Sequence, residues 1–238
     1  MSVPGASGPG ARAAGAPVVT VDGPSGSGKG TVSRLVAQRT GWHLLDSGAL
    51  YRLVAYAGRL AGAGSDDLQA HVRVAEQMHV DFQFDARGER IVLDGREVSA
   101  ALREEGVGAG ASQVAAWGPL RAVLLDRQRA AAREPGLIAD GRDMGTVVFP
   151  GAQLKIFLTA TAQERARRRY NQLKEKDSGV SLAALSRDIA ERDRRDETRP
   201  VAPLVPALDA IVLDSTALSA AEVADRILSY GRARGLWP

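Results

Sequence analysis

A chain of 238 residues with 45% hydrophobic content is long enough to bury a full core, as one domain with embellishments or at most two. It has no cysteine, and His43, His71 and His79 are its only histidines, which excludes a disulfide framework and thiol catalysis and leaves histidine metal sites and triads poorly supplied. A formal charge of +3 does not by itself argue for nucleic acid, and no apolar run reaches the ~18–20 residues of a membrane span, so a cytoplasmic protein with neither nucleic-acid nor membrane partner is expected.

Residues 1–16 are mostly Gly, Ala, Pro and Ser with one charged side chain, too little apolar surface to offset ordering, and read as a disordered tail. The segment 17–238 reads as the folded domain. Val18, Val19 and Val21 form a short buried strand, and Val32, Leu35 and Val36 the inner face of a helix. Between them Gly23, Pro24, Ser25, Gly26, Ser27, Gly28 and Lys29 satisfy GxxxxGK, a phosphate-binding loop whose backbone N–H groups converge on phosphate oxygens at a helix N-terminus. Gly30 follows Lys29, so the hydroxyl comes one place later, at Thr31, the candidate magnesium ligand. The chain's lysines are Lys29, Lys155, Lys174 and Lys176; its other cations are arginines, which marks a lysine here as a chosen compact charge.

Gly41 ends the helix, and 42–45 is a second strand running into Asp46 and Ser47, either of which can cap a helix carrying Tyr51 and Arg52 in its first turns. Residues 66–78 predict a helix capped by Ser65 or Asp66. Then Val80, Phe82 and Phe84 alternate, 85–89 turns, 90–93 returns, and Asp94-Gly95 turns into a short strand at 97–98. These antiparallel strands predict an inserted subdomain over about 65–106, which the family resemblance given below implies to be acceptor-binding. Helices are expected over 109–117 and 119–132, a strand over 137–139 running into Asp140, and another over 155–158.

A helix capped near Thr161 carries Arg165, Arg167, Arg168 and Arg169, which read first as a solvated face. After a charged break at 174–179 comes a helix from Leu182 towards Asp193, a dense charged run, a strand over 211–213 and a last helix capped by Ser219. Alternating strands and helices predict an α/β fold, a three-layer core with a parallel sheet around the P-loop, carrying the antiparallel insert and an arginine-rich segment over about 174–203; a P-loop NTPase core with that segment as a helical lid is what the family resemblance given below implies.

Arg192, Arg195, Asp196 and Arg199 stand at i, i+3, i+4 and i+7, the positions of one helix face. Guanidinium groups so placed repel unless an anion sits between them, which a phosphorylated substrate supplies; a salt-bridged surface helix is the alternative, with Glu191, Asp193 and Asp196 interleaved. A phosphate loop together with such a segment points to phosphoryl transfer, where catalysis is mostly positioning and charge neutralisation. A phosphate acceptor needs no general base, because its second pKa near ~6 leaves it ionised at neutral pH.

The strings VDGPSGSGKGT, HLLDSGALYR, ASQVAAW, LIADGRDMGTVVFP, KIFL, ERDRRDETRPVAPLVPA and VLDST together resemble the bacterial cytidylate kinases, from residue 17 to the C-terminus; GKGT itself is a form found in nucleoside monophosphate kinases. The resemblance implies transfer from ATP to CMP or dCMP, with Mg2+ bridging the triphosphate and the arginine-rich lid closing over the donor. It places Ser47, Arg52, Ser112, Arg121, Arg142, Asp143, Arg192, Asp196 and Arg199 at the acceptor: Arg52 and Arg142 on its phosphate, Ser112, Arg121 and Asp143 on the base, Arg192 and Asp196 on the sugar, and Arg199 on acceptor or moving phosphoryl group. Lys29, Arg142, Arg192 and Arg199 are the catalytic candidates. A carboxylate at Asp143 facing the cytosine amino group would set a carbonyl of uracil against it, and so discriminate. A monomer is expected. The rivals are a UMP or AMP kinase, a nucleotide switch, which should show an NKxD motif absent here, and a polynucleotide-dependent ATPase.

Overall fold

The computed structural model describes residues 15–85, 88–174 and 181–238. The expected tail up to residue 14, the hairpin tip at 86–87 and residues 175–180 of the charged break lie outside the described residues.

Five parallel strands form the central sheet, in the order β2-β6-β1-β7-β8: β1 (Val18–Asp22), β2 (His43–Asp46), β6 (Leu137–Gly141), β7 (Leu154–Thr159) and β8 (Ile211–Asp214). Every residue of β1 is buried, as a central parallel strand covered on both faces requires. Alternate side chains feed different layers. Val18, Leu137 and Ala139 join a core with α2 (Ser47–Leu60), α3 (Leu68–Gln77), α4 (Glu105–Val114) and α5 (Gly118–Arg129). Val19, Val21, Ile138, Ile156 and Leu158 join a second core with α1 (Lys29–Thr40) and α8 (Ala220–Ala233). The three expected layers are therefore present. Trp237 closes the second core by meeting Trp42 edge to face at 5.0 Å.

The antiparallel sheet β3 (Val80–Asp85), β4 (Gly88–Leu93) and β5 (Arg96–Glu97) is also present. Ile91, Leu93 and Val98 are buried in the same core as α2 to α5, so the sheet has no separate core of its own. Some bounds differ from expectation. Asp67, not Ser65 or Asp66, caps α3, its carboxylate accepting from the backbone N–H of Ala70. The last short strand sits at Arg96–Glu97 rather than 97–98. Helix α4 begins at Glu105, because Val107 and Ala111 already face the core.

Two more helices complete the chain, α6 (Ala162–Leu173) and α7 (Leu182–Thr198). The latter runs through the charged segment, past its expected end near Asp193. Its C-cap, Arg199, has left helical geometry, so Arg192, Arg195 and Asp196 share a helix face and Arg199 follows in extended backbone.

From β1 the chain leaves towards β2, and from β6 it crosses back over β1 to β7. The carboxyl ends of β1 and β6 thus flank the crevice where α/β sheets bind ligands.

Candidate active site

Beyond β1, Gly23 through Gly28 turn the chain into α1. A Cβ on Gly23 would lie 2.1 Å from the carbonyl oxygen of Leu158, so no other residue fits there. Gly28 caps α1 in left-handed geometry, at φ 94°, with no side chain engaging the helix N-terminus. The first-turn N–H groups are left to a ligand. Ser27 Oγ donates to the carbonyl of Pro24 at 3.0 Å, and Lys29 Nζ reaches the same oxygen at 3.1 Å. Burial, and then the field of Arg142, pull the Lys29 ammonium down to about 7. A buried cation so disfavoured gains from an arriving anion.

Three carboxylates line the strand ends. Asp46 pairs in register with Asp140, and Asp140 with Val21, the residue before Asp22. Burial pushes both Asp22 and Asp140 up to about 7. Asp22 accepts from the backbone N–H groups of Met144 and Gly145 at 2.8 Å each, and so caps the single π-type turn Met144–Val148. Asp140 faces the first turn of α1: its Oδ2 would lie 3.2 Å from a Cβ on Gly30. Thr31, the expected metal ligand, is exposed in that turn. None of the three aspartates was among the expected site residues. The signal that could have found them is a carboxylate ending an apolar strand.

The expected acceptor residues gather opposite. Arg142, just past β6, donates through Nε to Asp196 Oδ2 at 2.9 Å. Arg192 feels Arg142, Asp196 and Arg52, and its Nε is buried with no hydrogen-bond partner; burial first, then Arg142, pull it down to about 10. Arg52 is less tightly held, 3.9 Å from Asp46 Oδ2. Ser47 is buried at the start of α2, its Oγ in the space that a Cβ on Gly141 would enter.

Asp143 is buried between two arginines: Arg121 hydrogen-bonds its Oδ2, and Arg199 Nη2 stands 3.7 Å from Oδ1. Beneath them the guanidinium of Arg121 covers the Tyr51 ring at 5.6 Å. Ser112 Oγ accepts from Arg195 Nη1 at 3.2 Å, so the α7 face turns inward, not to solvent. Arg195 was read on that face without a role.

The solvated-face reading of α6 holds for Arg167 but fails for Arg165 and Arg168. Arg165 is buried and donates through Nη1 to the carbonyl of Ser25 at 3.0 Å; Arg168 donates to that of Ser27 at 3.0 Å. Both grip the phosphate loop from behind. Their three-residue spacing along one helix face was the available signal.

The sequence model of a family described as Cytidylate kinase matches residues 19–233. The cytidylate kinase of Pseudomonas savastanoi pv. phaseolicola (strain 1448A / Race 6) is 59% identical over 225 residues, covering 93% of this chain and 97% of its own. That of Stutzerimonas stutzeri (strain A1501) is 59% identical over 217 residues, covering 90% and 94%. That of Colwellia psychrerythraea (strain 34H / ATCC BAA-681) is 52% identical over 219 residues, covering 92% and 97%. Among solved structures, a shikimate kinase from Acinetobacter baumannii in complex with shikimate aligns over 92% of this chain and 94% of its own, with a TM-score of 0.43 and 16% identity. The family match includes the phosphate loop, the end of β6 and the whole of α7.

Proposed function

The chain belongs to the cytidylate kinase family and phosphorylates CMP to CDP with ATP as donor, and from that premise we propose that the transfer takes place in the crevice between β1 and β6, with dCMP as a second acceptor. The observation that carries this placement is electrostatic. Arg142 follows the end of β6, the strand paired in register with β1, and its charge is felt by the amine of Lys29 on the phosphate loop, so a donor phosphate held by Lys29 and an acceptor phosphate held by Arg142 would meet.

On the donor side, the backbone N–H groups of 23–31, Pro24 excepted, and the open N-terminus of α1 take the triphosphate, and Lys29 neutralises charge that develops on the moving group. On the acceptor side, Arg142 and Arg52 bind the CMP phosphate beside Ser47. The Asp143 carboxylate, already held by Arg121, accepts from the cytosine amino group, with Ser112 beside it. Asp196 and Arg192 take the sugar. Arg199 works at the acceptor end, because its guanidinium lies against Asp143. The ionised phosphate of CMP is itself the nucleophile, and no side chain has to remove a proton. Movement of α7, the described helix of the expected lid, would exclude water from the transfer.

A divalent cation fits the carboxylate that faces the first turn of α1. Burial disfavours the charge of Asp140, and a cation would restore it. No group of three or more His, Cys, Asp or Glu side chains among the described residues could hold a metal alone. Asp140 and the hydroxyl of Thr31 are the residues that would hold Mg2+, with phosphates and water supplying the rest. Bound there, it would supply neutralisation of the triphosphate charge.

No helix among the described residues is long and apolar enough to cross a membrane. We place the reaction on free nucleotides in the cytoplasm, by a monomer that needs no nucleic acid. Coupled assay of ADP production with CMP, dCMP, UMP and AMP tests the reading: CMP and dCMP are expected to be turned over well and UMP and AMP poorly. Faster turnover of AMP or UMP would reject it.

A further inference from the structure

In a trans peptide the carbonyl and the N–H that follows it point in opposite directions. A hydrogen bond that holds the carbonyl therefore also aims the amide. Arg165 holds the carbonyl of Ser25 and Arg168 that of Ser27, so the N–H groups of Gly26 and Gly28 are turned away from α6. Arg168 is anchored in turn by Glu164 at 2.8 Å and by the carbonyl of Ser215 at 2.6 Å. The loop packs directly on this helix, since a Cβ on Gly26 would come within 3.0 Å of Arg165 Cβ.

Arg165 has a further partner that Arg168 lacks. Its Nε donates to the carbonyl of Ala160 at 3.0 Å, and its Nη2 pairs with Asp193 Oδ2 at 2.6 Å. Asp193 stands on α7 next to Arg192. Both members of the pair are largely buried, with side-chain exposures of 7% and 14%, and Oδ1 of Asp193 has no hydrogen-bond partner. One guanidinium thus joins the phosphate loop, the end of β7 and the helix that bears the acceptor-facing residues.

We propose that Arg165 and Asp193 are positioning residues that latch α7 to the phosphate loop and so couple triphosphate binding to CMP binding. This rests on the assignment of the loop to the donor and of α7 to the acceptor. A triphosphate that tightens the Ser25–Gly26 peptide would hold Arg165, hence Asp193, hence the neighbouring Arg192 in place for CMP. By linkage, CMP would tighten triphosphate binding by the same factor.

The test is calorimetric titration of CMP into the full chain, alone and with saturating β,γ-methylene-ATP and magnesium, for wild type and Asp193→Asn. Wild type is expected to bind CMP about 5- to 150-fold more tightly with the analogue present, the usual range of such couplings. In Asp193→Asn that factor should fall to about 2 or less, while affinity for CMP alone stays within about twofold of wild type. If Asp193→Asn does not fold, the neutral pair Arg165→Gln/Asp193→Asn is measured by the same criteria. A purely structural role would lower the melting temperature and leave the coupling factor unmoved, and that result would overturn the latch. So would a wild-type factor near 1. Failure of wild type to bind the analogue at all would overturn the phosphate-loop assignment, and the latch with it.

Discussion

Nε of Arg142, one residue beyond β6, donates to Oδ2 of Asp196 on α7 at 2.9 Å, with side-chain exposures of 16% and 6%. This bond ties the arginine proposed for the acceptor phosphate to the carboxylate proposed for the sugar. Arg142 and Arg192 in turn hold the Asp196 carboxyl below the usual carboxylate range, against the effect of its burial. The arginine is thereby aimed before substrate arrives.

Asp196→Asn removes the charge that orients Arg142 and leaves the repulsion between the partly buried Arg142 and Arg192 uncompensated. The KM for CMP is expected to rise by roughly ten- to a hundredfold, in line with truncation of one partner of a buried charge pair. The KM for ATP should change little, because Asp196 is proposed to act on the acceptor alone. Steady-state kinetics with each nucleotide varied in turn measures both, and an unchanged KM for CMP would contradict the assignment.

For Lys29→Ala the activity and stability effects should oppose each other. Loss of transition-state charge stabilisation should lower kcat by about 10²–10³-fold with CMP and dCMP alike. In the protein without nucleotide, burial already disfavours the ammonium, and removing it should leave the melting temperature unchanged or raised. A near-normal kcat would remove Lys29 from the mechanism, whereas a large fall in melting temperature would show that it is structural.

Asp143 does two things, which makes its alanine variant a poor probe. It is the carboxylate we propose to face the base and also the partner of buried Arg121 and Arg199, so Asp143→Ala should cost about 3 kcal/mol or more in stability. Asp143→Asn keeps the shape and one acceptor. It should lose most CMP turnover and narrow the kcat/KM preference for CMP over UMP by at least about tenfold. Affinity for an ATP analogue should persist. Retention of the full CMP preference would sink the base-reading role.

The Asp22 carboxyl predicts a pH effect with a definite sign. Its folded pKa, pushed up to about 7 from 3.8 by burial, lies above the unfolded value, so the folded state binds the extra proton. The stability this group contributes is full below about pH 4 and is lost as pH rises towards about 7. Asp22→Asn removes that slope. Relative to wild type, the variant should therefore gain stability between pH 4.5 and 7.5, on the order of a few kcal/mol. Losing one of two backbone hydrogen bonds adds a cost that is constant with pH. Urea unfolding without nucleotide at the two pH values measures the difference; a variant that loses ground as pH rises would contradict the assignment.

Much of this protein was legible before its fold was known. The strand, glycine loop and helix at 17–36, the α/β alternation and the small antiparallel sheet follow from short spacings. Each depends on a periodicity or a turn residue within a few positions. Of the expected acceptor residues, Arg192, Asp196 and Arg199 were legible from their spacing on one helix face, whereas Ser112 and Arg121 were legible only through resemblance, because a lone residue has no local pattern. The end of α7 was misplaced because Arg192, Arg195 and Asp196 occupy positions where a helix usually carries apolar residues.

What the sequence alone determined, then, was the phosphate loop at the head of α1, the α/β class and an arginine-rich segment seeking an anion. Only the tertiary structure decided what each charge faces. Arg165 reads as surface from its neighbours in sequence, yet it is buried against Ser25, a residue 140 positions away. The physical reason is range. Backbone propensity and apolar period act over a turn or two, whereas the burial that shifts Lys29 and Asp140 and the pairing that aims Arg142 come from strands and helices brought together by the sheet.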